Sequence, residues 1–233
     1  IRSYDEQLAR LRDTLMRIGG LVENALAEAL GALGRRDAAA ASTIVRRDAE
    51  VDALQRSVEE MSVRLIALRQ PVAGDLRLIV GAIRIALDLE RVGDYAANIA
   101  KRVIVLSQLP PVVGVGSLQR MGRIVQEMLK DTLDALGSGD ADKAHLVWQR
   151  DEQVDEAYNG VFRSLLTYMM EDPRNITPCA HLLFVAKNIE RIGDHATNVA
   201  ETIRFIVLGE EAVAGRPKGD DAAFTIVEPP PGD

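Results

Sequence analysis

The chain has 233 residues, 47% hydrophobic and 27% charged, with a formal net charge of −7, enough apolar material to bury one or two cores. A single cysteine, Cys179, excludes an internal disulfide and a thiolate cage for zinc, and points to a reducing compartment, the cytoplasm. The acidic balance argues against nucleic acid as the main partner, and neither a leader nor an apolar run of about 18 residues marks an exported or membrane-spanning chain.

Aromatic residues make up only 4%, and Ala and Leu are abundant, so the class is all-α. Ser3 with Glu6 reads as a capping box, and Leu8, Leu11, Leu15, Ile18, Leu21, Val22 and Leu30 carry a helical rhythm to Gly34. Asp37 caps a second helix through Ile44, Val45, Val51, Leu54, Val58 and Leu65, ended by Pro71. A third runs from near Asp75 to before Pro110. Ser117 is the N-cap expected for a fourth, which closes near Gly137. Asp140 caps a fifth that Pro173 ends, and Thr177 followed by Pro178 opens a sixth, to about Gly209.

Two segments recur. Residues 86–100, ALDLERVGDYAANIA, return as AKNIERIGDHATNVA at 186–200, and residues 34–52 return at 137–155 with the Gly, the Asp, the Arg-Asp pair and the final Val-Asp kept. The chain therefore reads as two tandem three-helix bundles, residues 1–108 and 117–209, joined by a Pro- and Gly-rich linker at 109–116. Residues 210–233, rich in Gly, Pro and acidic residues, have no helical rhythm and are expected to be disordered.

The repeat carries the chemistry. Glu90, Asp94 and Asn98 are spaced by four, which sets them on one stripe of a helix, and Glu190, Asp194 and Asn198 repeat the pattern. Asp48 with Asp52, and Asp151 with Asp155, form further pairs on the preceding helix of each half. Like charges so placed repel unless a cation compensates them. An oxygen-only set suits iron, manganese, magnesium or calcium better than copper or thiolate-bound zinc. The alternative is that Arg47, Arg91, Arg150 and Arg191, which also recur, pair with these carboxylates and no metal is held. Gly93 and Gly193, inside helices, suggest close approach of a neighbouring helix or a ligand. His195 stands opposite Tyr95 in the repeat and Trp148 opposite Val45, which points away from a shared catalytic or stacking role. His145 and His181 read as ordinary residues, and Cys179 as a small buried hydrophobe. No phosphate-cradling Gly-rich loop, nucleophile elbow or Ser-His-Asp set is present, so no catalytic residue is assigned and no nucleotide hydrolysis is expected.

DLERVGDYAANIAK and NIERIGDHATNVAE resemble the paired signatures of the PhoU phosphate-signalling family, and YDEQLARLRDTLMRIGGLVENALAEAL, ALRQPVAGDLRLIVGAIRIA and YMMEDPRNITPCAHLLFVAKNIERIGDHATN follow the family too, so the resemblance spans residues 4–208. It implies two three-helix bundles, often a homodimer, and multinuclear iron or zinc on the acidic motifs, here Glu90 with Asp94 and Glu190 with Asp194. It also implies a cytoplasmic negative regulator of the phosphate regulon, coupling the ATPase of a phosphate ABC transporter to a sensor histidine kinase. Asn188 stands opposite Asp88, so the two halves need not bind metal equally. Two rivals remain. A carboxylate-bridged di-iron oxidase or store expects Glu-x-x-His, and neither Glu90 nor Glu190 has His three residues on; a helical adaptor would need no metal at all.

Overall fold

The computed structural model describes residues 2–209 with 222, 225 and 226, and side chains from Tyr4 onward. The chain forms α1 (Arg2–Arg35), α2 (Ala38–Arg69), α3 (Ala73–Leu106), α4 (Val115–Ser138), α5 (Ala141–Gln149), α6 (Asp151–Glu171) and α7 (Ile176–Leu208), with a 3-10 turn at Pro173–Asn175. No strand occurs among the described residues, and no described helix is long and apolar enough to cross a membrane.

The buried positions of α1 (Leu11, Leu15, Ile18, Val22, Leu26, Ala29 and Leu33) step by three and four, the pattern of one apolar face. The same face returns 103 positions later on α4, where Leu118, Met121, Val125, Leu129 and Leu133 are buried. The first bundle packs α1, α2 and α3 together, and the second packs α4 with α5, α6 and α7. Two pairs join the halves: α1 with α4, and α3 with α7. At the first joint the fit is reciprocal. A Cβ on Gly19 would collide with the Leu133 methyl groups, and one on Gly122, the repeat of Gly19, would stand 2.7 Å from Leu30 Cδ1, the repeat of Leu133. Glycine at both places lets the backbones close up, a use that outweighs its helix cost of about 1 kcal/mol. Along the second joint Asp88 meets His195, Gly81 faces Ile206 and Arg102 meets His181, so α3 and α7 run antiparallel.

Several helix ends differ from the sequence reading. Asp37 and Asp140 do cap, accepting from Ala40 N and from Asp142 N and Lys143 N. α1, however, already runs from Arg2, so Ser3 lies inside it rather than at its cap. α4 starts at Val115 behind Gly114, whose φ of 115° needs no side chain; Ser117 lies in the first turn, its N–H bonded to Gly114 O and its hydroxyl accepting from Arg120. Asp172 and Pro173, not Thr177 and Pro178, form the cap-and-proline pair, opening the 3-10 turn. Pro178 is buried in the first turn of α7, where its missing N–H has no intrahelical partner to lose. The fifth helix is not continuous. At Arg150 the N–H turns to Val147 O, a 3-10 step that separates α5 from α6, and its guanidinium reaches Asp131 of α4 at 3.0 Å. Of the segment expected to be disordered, Ala222 is buried with the apolar core, Thr225 is half-buried and Ile226 exposed; the rest lies outside the described residues.

The linker is anchored from the first half. Arg36, in the left-handed region at φ 56°, donates to the carbonyls of Leu106 and Leu109, and the equivalent position in the second half is Gly139, at φ 67°.

Candidate metal centre

α2 and α3 bring the first acidic set together. One carboxylate oxygen from each of Asp52, Glu90 and Asp94 lies within 4.8 Å of the others. Asp48 stands one turn along α2 from Asp52, and burial with Asp94 and Asp52 nearby pushes its pKa up, opposed by Lys101. Glu90 is pushed up by burial and then by Asp94, with Arg91 opposing. Asp52 Oδ1 is buried and has no hydrogen-bond partner. A cleft of about 100 Å3 between α1 and α2 reaches Asp48 and Gly93.

The four recurring arginines reach different partners. Arg91 does pair with the acidic set, 3.1 Å from Asp94 Oδ2 and 3.5 Å from Glu90 Oε2, but its side chain is 57% exposed and lies at the rim. Arg47 goes to Glu28 of α1 and Arg150 to Asp131 of α4. Arg191 lies over the Tyr95 ring. An acceptor with no donor, among like charges that raise one another's pKa, fits an oxygen-binding cation.

The second set is built from the same positions and is different in kind. Asp151, Asp155 and Glu190 are 4%, 4% and 5% exposed, and Thr197 donates to Asp151 Oδ1 at 3.4 Å. Burial and then Asp194 push the Glu190 pKa up, with Lys187 opposing. Lys187 Nζ is 3.1 Å from Glu190 Oε2, a buried oxygen that, like Asp52 Oδ1, has no hydrogen-bond partner. Among the described residues no second trio of His, Cys, Asp or Glu converges as Asp52, Glu90 and Asp94 do.

The remaining positions fall away from the carboxylates. Asn98 accepts from Lys101, and Asn198 donates to Asp88, so neither completes the stripe. A Cβ on Gly93 would sit 3.4 Å from Asp48 Oδ1, Val22 and Val51, and one on Gly193 3.4 Å from Val154. These are ordinary contacts, so neither glycine is required for helix packing. His195 is missed by the sequence reading: its ring meets Asp88 of the other half at 2.7 Å. The signal was the exchange of Tyr95 for His195 facing that of Asn188 for Asp88. Lys187 was also missed, and its signal was Leu87 at the equivalent position. His145 stacks near Trp148, whose indole N–H donates to Glu201. Cys179 is buried and burial pushes its thiol up.

A sequence model of the PhoU domain matches the chain twice, over residues 15–103 and 118–203. The phosphate-specific transport system accessory protein PhoU homolog of Caulobacter vibrioides is 52% identical over 94% of this chain and 96% of that protein. The protein of the same description in Rhizobium meliloti is 48% identical over 96% and 94%. Crystal structures of PhoU from Pseudomonas aeruginosa (TM-score 0.86, 39% identity, covering 89% of this chain and all of that one) and of the phosphate transport system regulatory protein PhoU from Streptococcus pneumoniae (0.82, 30%, covering 90% and 99%) have the same fold.

Proposed function

The chain belongs to the PhoU family, and from that premise we propose that it is the accessory regulator of a phosphate-specific transport system, a cytoplasmic protein that couples the transporter ATPase to a sensor histidine kinase and holds the phosphate regulon down when phosphate is plentiful. Its relatives carry the transport-system description over nearly their whole length. A homodimer is part of the same reading, as are the two bundles at residues 1–108 and 117–209.

The observation that carries the metal part is the convergence of Asp52, Glu90 and Asp94 around an unpartnered buried oxygen. These three, with Asp48, would hold a hard divalent or trivalent cation such as iron or manganese. Glu190, Asp194, Asp151 and Asp155 are the second half's counterparts. The cation would supply positive charge that ties α2 to α3. The di-iron oxidase is disfavoured because His195 faces Asp88, outside the carboxylate set.

The test is a deletion strain carrying a reporter from a phosphate-starvation promoter. Loss of the chain is expected to switch the reporter on in phosphate-rich medium, and the wild-type chain to silence it again. A reporter that stays silent without the chain would overturn the regulatory reading.

A further inference from the structure

The α3–α7 joint carries a line of arginines that no acid of the described chain answers. Arg84 lies over the ring of Phe205, 5.2 Å from its centre, Arg191 over Tyr95 at 5.7 Å, and Arg102 over Phe184 at 4.3 Å. Each of these contacts crosses from one helix to the other. Arg102 gives one N–H to His181 Nδ1 at 3.3 Å, and among the described residues neither it nor Arg84 or Arg191 forms an ion pair. Arg77 continues the line. Its guanidinium packs against Gly209 at the end of α7, 3.4 Å from where a Cβ would stand, and its Nε is buried with no hydrogen-bond partner.

One exposed arginine without a partner is ordinary on a protein surface. Four in file are not, when three of them are held flat on a ring of the neighbouring helix. On α3 the line passes residues 77, 84, 95 (the ring beneath Arg191) and 102, separated by 7, 11 and 7 positions. They share one stripe, about two, three and two turns apart and roughly 37 Å from end to end. Stacking fixes the plane of a guanidinium and leaves its N–H edge to take a carboxylate. Leu87 and Phe184, both about half exposed, are on the same two helices. The row therefore fits a slender element with carboxylates at those intervals and apolar side chains between them. A bilayer of anionic lipid fits worse, because Glu90 and Asp94 flank the row on the side of α2 and would be pressed against its headgroups.

We propose that the row of Arg77, Arg84, Arg191 and Arg102 is the docking surface for an acidic amphipathic helix of a protein partner. This rests on the regulatory reading given above only in taking the occupant to be another protein. Because α3 belongs to the first half and α7 to the second, the row is complete only while the two halves are joined.

The probe is a fluorescein-labelled helical peptide of about 30 residues, with Leu along one face and Glu at intervals of two, three and two turns; its anisotropy is followed as the full chain is added. Binding is expected, and so is its loss when Gln replaces every Glu. Arg84→Gln with Arg191→Gln is expected to weaken binding about tenfold or more, the scale of two charge-assisted contacts. Arg56→Gln with Arg163→Gln, exposed arginines of α2 and α6, is expected to leave it unchanged. No binding of the Glu peptide, equal binding of the Gln peptide, or equal effects of the two arginine pairs would overturn the proposal. So would capture by vesicles of phosphatidylcholine and phosphatidylserine in place of the peptide. Tighter binding once Glu210, Glu211, Asp220 and Asp221 are changed to their amides would give the row to the chain's own tail, and would overturn it as well. Should the row variant not fold, the Glu and Gln peptides on the wild type decide between them. A reporter that stays silent in the deletion strain removes the regulatory reading and leaves these binding results as they are, so the two failures are distinct.

Discussion

Asp48, Glu90 and Glu190 share one property: each is held above its ordinary pKa, first by burial and then by a neighbouring carboxylate. A carboxyl whose folded pKa is raised binds more protons in the native state than in the unfolded one, so it costs stability at neutral pH. That cost is relieved as pH falls through the raised values and is gone below the unfolded value, near 4. The chelator-treated protein should therefore become harder to unfold in urea as the pH falls from neutral toward the ordinary carboxylate value near 4. Changing Asp48→Asn with Glu90→Gln should flatten that rise. A wild type and variant with the same pH dependence would show that these groups are solvated. Repeat spacing made the carboxylates readable from sequence. Lys187 stands three residues before Glu190, a spacing the sequence carries, but the Tyr158 ring it lies over comes from another helix and only the fold brings it there.

Helix ends show where local chemistry suffices and where it does not. Asp37 and Asp140 cap through their own side chains, an interaction confined to three residues, and the sequence is enough to find them. Gly114 caps by conformation, and the Arg150 step depends on Asp131 of another helix. Neither leaves a mark in a residue-by-residue reading. Replacing Asp37 or Asp140 by Ala should each cost about 1 kcal/mol in chemical denaturation. Ser117→Ala should stay within about 0.5 kcal/mol, since its hydroxyl receives only the exposed Arg120. A Ser117→Ala loss as large as that of Asp37→Ala would mean that the α4 start is wrongly placed.

At the scale of the molecule, each half supplies a glycine to the other's leucine, and α3 and α7 lie against each other along their length. The helical rhythm predicted that each half would have a buried face. It did not predict which faces of the two halves would meet, because Ala and Gly positions on α3 and α7 read equally as the inside of a single bundle. The joint has a further consequence through the chain that spans it, residues 107–114. A short tether holds two complementary surfaces at an effective concentration of order mM. Within one chain the joining of the halves should consequently be independent of protein concentration, so dilution shifts the unfolding midpoint of the intact protein only as far as the proposed homodimer contributes. Suppose a protease site is placed among residues 110–114, beyond the carbonyls that Arg36 holds. After cleavage the halves must find each other as separate solutes, and the unfolding midpoint, followed by fluorescence of the single Trp148, should fall on dilution. A cleaved protein indifferent to dilution would mean that the second half stands alone; otherwise the linker decides whether folding is a first-order or a second-order event.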